Sequence, residues 1–167
     1  RVSVIPNGID ASALAAGAEA PDEGDERPLI LGIGRLSVQK DFETLIDAVA
    51  LITRNPAPVL RILGRGNDRW RTRLLRRAES RGLTGRFELA GHVADVPAHL
   101  RAADLFVSSS RWEGASNAVL EALACGTPIV ATAAPTGIAE VLRPLGDQWL
   151  VPVGDAPALA QAIARRL

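Results

Sequence analysis

Short apolar runs alternate along this chain with stretches whose apolar positions recur every three or four residues. The runs predict strands and the longer period predicts helices. VSVI at 2–5 predicts a first short strand, and PNGID at 6–10 a turn. GAEAPDEGDERP at 17–28 is acidic and broken by Pro and Gly, which predicts an exposed loop. LILGIG at 29–34 is an apolar run ending in glycines, the pattern of a buried parallel strand. From Asp41 the period changes. Phe42, Leu45, Ile46, Val49 and Ile52 fall at helical spacing, with Pro56 and Pro58 just beyond. VLRILG at 59–64 predicts the next strand. A helix over 68–81 follows, with Trp70, Leu74, Leu75 and Ala78 on one face and arginines elsewhere.

RFELAG at 86–91, DLFVSSS at 104–110 and PIVAT at 128–132 predict further strands, separated by helices over 96–103 and 116–125. Ser116 is placed to cap the second of these helices and Gly126 to stop it. A short helix over 137–142, a last strand in QWLVPV at 148–153 and a last helix over 155–167 complete the pattern. This β-α alternation predicts an α/β fold: a doubly wound, Rossmann-like parallel sheet with helices on both faces.

Composition narrows the picture. A length of 167 residues suits one domain, and 47% hydrophobic content is enough for a core. The formal net charge of zero gives no general reason to expect nucleic acid or an anionic membrane. A single cysteine, Cys125, excludes an internal disulfide and fits a reducing, cytoplasmic setting. No apolar run reaches the ~20 residues that span a bilayer. The chain contains no methionine and opens on Arg1, so it is expected to be one domain of a longer protein. Of its 19 basic residues only Lys40 is a lysine.

Ligands of such sheets bind at the carboxyl ends of the strands, so the residues that follow each strand carry the chemistry. After LILGIG come Gly34, Arg35 and Lys40, a glycine that lets a ligand approach the backbone and two cations suited to a diphosphate. Each charge-assisted bond from such a cation is worth about 1.5–3 kcal/mol. Glu113 and Glu121 lie eight apart in RWEGASNAVLEALACGTP, one before a helix and the other about a turn and a half inside it. The first-turn amides between them favour anions. An acid, an anion site and a second acid in series suit a ligand with hydroxyls at both ends and phosphates between, the layout of a nucleotide-sugar. Leu120, Ala122 and Leu123 flank Glu121, which points to partial burial and a need for a partner. Several other chemistries are disfavoured. His92 and His99 have no metal-ligand spacing with each other or with Cys125, and there is no Asp-x-Asp pair. Ser108, Ser109 and Ser110 form no nucleophile elbow, and the dinucleotide and P-loop glycine patterns are incomplete or absent.

VIPNGID at 4–10, GIGRLSVQKDFETLIDAVALI at 32–52, GRGNDR at 64–69, GHVADVPAHLRAADLFVSSS at 91–110 and SRWEGASNAVLEALACGTPIVAT at 110–132 together resemble one family. It is the C-terminal, donor-binding domain of GT-B fold glycosyltransferases of group 1, or GT4 type. The resemblance covers nearly the whole chain. It implies that Arg35 and Lys40 hold the donor diphosphate, that Glu113 binds sugar hydroxyls and that Glu121 binds the ribose. It further implies that amides from Gly114, Ala115, Ser116, Asn117 and Ala118 face sugar and phosphate. Gly34 then lies beside the diphosphate, while Gly64, Arg65 and Gly66 and the turn at His92 and Val93 border the base. The family mostly retains anomeric configuration and needs no metal and no cofactor beyond the nucleotide-sugar itself.

The family often has Gly-Phe-Gly or Gly-Phe-Pro after the first glutamate, where this chain has Gly114-Ala115-Ser116, a difference expected to bear on sugar choice. By the resemblance, the expected function is retaining, metal-independent hexosyl transfer from a UDP- or GDP-sugar. The acceptor, a sugar or a lipid-linked sugar, would be held by a separate N-terminal domain. The expected setting is the cytoplasm, with the inner face of a membrane reached only through that other domain. Two alternatives remain open at this point, a noncatalytic nucleotide-sugar-binding module and a nucleotide-sugar epimerase relative.

Overall fold

The structure is a computed structural model and describes residues 8–15, 25–135 and 137–167. The strand expected at 2–5 and most of the loop expected at 17–28 lie outside the described residues. Six parallel strands form one sheet in the order β3-β2-β1-β4-β5-β6. They are β1 (Leu29–Ile33), β2 (Val59–Leu63), β3 (Phe87–Gly91), β4 (Leu105–Ser108), β5 (Ile129–Thr132) and β6 (Leu150–Val151). The helices are α1 (Ala11–Ala15), α2 (Phe42–Ala50), α3 (Asp68–Ser80), α4 (Val96–Ala102), α5 (Asn117–Ala124), α6 (Ile138–Leu142) and α7 (Ala156–Arg166).

Alternation along the strands divides the core between two faces. Ile30, Leu60, Ile62, Leu105, Val107 and Val130 join α2, α3 and α7 on one side. Leu31, Leu63, Phe106, Ile129 and Ala131 join α4, α5 and α6 on the other. A strand covered on both faces needs apolar residues at every position, which is why these strands read as continuous runs. Arg61 is the exception in β2. It is buried, and its Nε donates to Glu88 Oε2 of the neighbouring β3 at 2.6 Å.

Three expectations are corrected. Leu75 is 44% exposed although Leu74 and Ala78 are buried. One residue turns a helix by about 100°, so Leu75 is carried out of the stripe that Leu74 and Ala78 share. α2 ends at Ala50, and Ile52 is buried from beyond the helix. The last strand is only Leu150–Val151, because residues 147–149 form a 3-10 turn and Pro152 has no N–H for the ladder. No helix among the described residues is long and apolar enough to cross a membrane.

Candidate functional site

The sheet order reverses between β1 and β4, the two central strands. The connections from their carboxyl ends run to opposite sides, and a crevice opens between them. Two loops meet there, residues 34–41 after β1 and 109–116 after β4. They bring Lys40 and Glu113 together although 73 positions separate them. The Lys40 ammonium forms an ion pair with Glu113 Oε1, and Ser110 Oγ donates to the same oxygen at 2.8 Å. Glu113 is 7% exposed, so its carboxylate needs these partners. Thr132 Oγ1, fully buried at the end of β5, donates to the Ser110 carbonyl at 2.6 Å and holds that residue in place. The lysine stem runs over Gly34. A Cβ there would lie 2.5 Å from Lys40 Cε, so any larger residue would push the lysine stem off this path.

Beside this pair a cavity of about 280 Å³ opens at the ends of β1, β2 and β3. Gly34, Arg35, Gly64, Arg65, His92 and Val93 line it. The loops are laced by backbone bonds. Gly34 N–H donates to the Leu63 carbonyl at 2.9 Å, Leu36 N–H to Arg65 at 2.8 Å, and Gly64 N–H to Gly91 at 2.6 Å. Gly64 passes so close to the first loop that a Cβ would lie 1.8 Å from the Gly34 carbonyl oxygen. Gly66 packs against Leu36 and stands outside the cavity lining. Arg35 and Arg65 are exposed, and neither forms an ion pair with a described residue. Two unopposed guanidinium groups make this hollow attractive to an anion.

α5 starts at the same end of the sheet. Ser116 occupies the N-cap position, and its carbonyl accepts from the N–H groups of Val119 and Leu120 at 3.1 and 3.2 Å. Its hydroxyl makes no capping bond. The amides of Asn117 and Ala118 precede those first helical bonds, and Gly114, Ala115 and Asn117 are exposed. Gly114 is backed by Gly137, whose φ is +58° and whose added Cβ would lie 1.6 Å from the Gly114 carbonyl oxygen. Farther along α5, Glu121 is partly buried, and burial pushes its carboxyl above the usual range. It has no hydrogen-bond or ion-pair partner among the described residues.

The candidate residues therefore fall into three adjoining groups. Lys40 and Glu113 are bonded across the crevice, with Gly34 beneath the lysine. Arg35, Gly64, Arg65, His92 and Val93 share the cavity. Gly114 to Ala118 form the approach and first turn of α5, with Glu121 farther along that helix. Ser110, Thr132 and Gly137 support the site but carry no local signal of it, since their roles depend on contacts with distant segments. Among the described residues there is no group of three or more His, Cys, Asp or Glu placed to hold a metal ion.

A sequence profile described as "Glycosyl transferases group 1" matches residues 27–167. The lipopolysaccharide core biosynthesis glycosyltransferase LpsE of Rhizobium meliloti is 37% identical over 173 residues, covering 98% of this chain and 46% of that protein. The UDP-Gal:alpha-D-GlcNAc-diphosphoundecaprenol alpha-1,3-galactosyltransferase of Escherichia coli is 32% identical over 184 residues, covering 99% of this chain and 45% of that protein. The chain thus spans about half the length of these relatives. Among solved structures, Anabaena Alr3699/HepE in complex with UDP-glucose superimposes with a TM-score of 0.76 at 28% identity. That match covers 84% of this chain and 39% of HepE.

Proposed function

The chain belongs to the group 1 glycosyl transferases, and on that premise we propose that it is the donor-binding half of a two-domain hexosyltransferase. It binds a nucleoside-diphosphate sugar, and a separate domain holds the acceptor. The observation that carries this reading is the Lys40–Glu113 pair, closed across the switch point beside a cavity with two unpaired arginines. The diphosphate lies against Arg35, Lys40 and the first-turn amides of α5. Glu113 takes sugar hydroxyls, Glu121 the ribose, and the glycine turns with His92 and Val93 border the base. HepE was solved with UDP-glucose and the E. coli relative is named for UDP-Gal, which favours UDP over GDP. The latter name also carries a diphosphoundecaprenol-linked acceptor, which supports a lipid-linked or sugar acceptor; action at the cytoplasmic face of a membrane is part of the same proposal.

In the proposed reaction the sugar–phosphate bond breaks and negative charge grows on the leaving diphosphate. Arg35, Lys40 and the α5 amides are aimed at that charge and replace a metal ion. The reaction retains anomeric configuration. The test is Lys40→Ala in the full-length protein, assayed for transfer from UDP- and GDP-hexoses with and without EDTA. Loss of one such donor is expected to lower kcat about 100-fold or more, with the fold intact. Full activity in the variant would remove Lys40 from the mechanism, and loss of wild-type activity in EDTA would overturn metal independence.

A further inference from the structure

Asp41 is the one non-glycine residue with a positive φ among the described residues, at φ 45° and ψ 46°. A side chain in that left-handed region costs about 1 kcal/mol or more, and glycine is the ordinary choice there. Asp41 is nevertheless buried, with 6% exposure. Its Oδ2 accepts from Thr44 Oγ1 at 2.8 Å, and Arg111 Nε lies 3.0 Å from the same oxygen in an ion pair. Arg111 belongs to the other loop of the crevice. Its backbone N–H donates to the Gln39 carbonyl at 2.8 Å, and Gln39 Nε2 donates to the Trp112 carbonyl at 3.1 Å. Between these ties, Ser109 Oγ donates to the Lys40 carbonyl at 2.7 Å. Residues 39, 40 and 41 are thus each bound to the segment 109–112, and Glu113 is the next residue along.

We propose that the Asp41–Arg111 ion pair is a positioning device: it docks the Lys40 loop onto the Glu113 loop and so sets the lysine for the donor diphosphate. This rests on reading Lys40 and Glu113 as donor-binding groups. Stability of the backbone alone argues for glycine at position 41, so a strained aspartate points to use of its carboxylate. Arg111 acts through the loop rather than on the donor. It lines a separate cavity of about 270 Å³ with Ser37, Asp41 and Trp70, and is absent from the lining of the hollow that holds Arg35 and Arg65. The ion pair is anchored on its aspartate side, since Arg111 is 46% exposed. A buried carboxylate deprived of its cation is unfavourable, which keeps the two loops closed.

The test is a double-mutant cycle in the full-length protein, read by calorimetric titration with UDP, GDP and ADP. For the diphosphate that binds most tightly, Arg111→Ala is expected to weaken binding about tenfold, and Lys40→Ala at least as much. The double variant is expected to bind no more weakly than Lys40→Ala alone. Asp41→Gly keeps the left-handed backbone without the strain. It is expected to lose about the same tenfold in affinity while its unfolding midpoint is kept. An equal Arg111→Ala loss with and without Lys40 would overturn the device, as would wild-type affinity in Asp41→Gly. A weakened Lys40→Ala beside an unchanged Arg111→Ala would sink the positioning role and spare the donor site. An unchanged Lys40→Ala would sink both.

Discussion

Gly137→Ala tests whether the approach to α5 must be held where it is. The added Cβ would lie 1.6 Å from the Gly114 carbonyl oxygen, and Ala115 Cα would be 3.5 Å away. To reach ordinary contact at 3.4 Å the two backbones must part by about 1.8 Å. No rotamer relieves this, because both atoms are fixed to main chain. Functional geometry tolerates displacements of only about 0.5 Å, and a shift near 1 Å can cost 100-fold in rate. Transfer by the full-length protein is therefore expected to fall about 100-fold, with weaker nucleoside-diphosphate binding. With ψ at −72°, the φ of +58° lies outside the left-handed helical region, so alanine there costs at least the about 1–2 kcal/mol of that region. Gly126→Ala separates the two effects. Its φ of +73° also carries a backbone cost for alanine, but nothing lies within 4 Å of the new Cβ, and it stands at the far end of α5. Both variants should unfold at lower temperature, and only Gly137→Ala should lose function. Equal losses of transfer in the two variants would refute the reasoning, as would normal transfer in Gly137→Ala.

Three further outcomes are expected. Burial raises the Glu121 carboxyl, so its contribution to stability is present below the unfolded value and lost as pH rises through the folded one. Glu121→Gln should then raise the unfolding midpoint at pH 7, the gain should vanish near pH 4, and donor binding should weaken; a lowered midpoint at pH 7 would refute this. Burial also opposes the charged form of Asp47, but hydrogen bonds from Arg77 and Arg81 outweigh it and hold that carboxyl below the usual range. Its stabilisation is present above the unfolded value of 3.8 and is lost as pH falls through the folded one. With Arg77 33% and Arg81 49% exposed, Asp47→Asn should cost only about 1 kcal/mol at pH 7, less in high salt, with no change in transfer. Finally, Arg35→Gln should weaken nucleoside-diphosphate binding and flatten its dependence on ionic strength; an unchanged salt slope would show that Arg35 does not face the phosphates.

The strands and long helices were legible because burial on both faces, or along one stripe, leaves a periodic trace in the sequence. The trace fails where packing does not impose it, at Leu75 and along 148–153. The chemistry was legible only residue by residue. Gly34, Arg35 and Lys40 could be placed after one strand and Glu113 after another, since each follows an apolar run directly. Their adjacency is a property of sheet order, and nothing local says that β4 pairs with β1. The same limit hid the supports. Asp41 reads as a helix start and Arg111 as a loop charge until the loops meet. Gly137 reads as a turn until Gly114 is found against it.

The charges of the site divide by whether they are already satisfied. Lys40 and Glu113 neutralise each other while the site is empty, so an arriving anion gains from the lysine only what remains after the glutamate has found another partner. Arg35 and Arg65 have no such debt, and their attraction for an anion, screened by the solvent around them, acts from the first encounter. A sugar hydroxyl can relieve Glu113 by donating to it, which frees the ammonium for phosphate at the same moment. The donor's two halves are then coupled through one ion pair. On the proposed reading the partly buried Lys40 then lies where charge develops as the bond between sugar and phosphate breaks, which is where a fixed cation lowers the barrier.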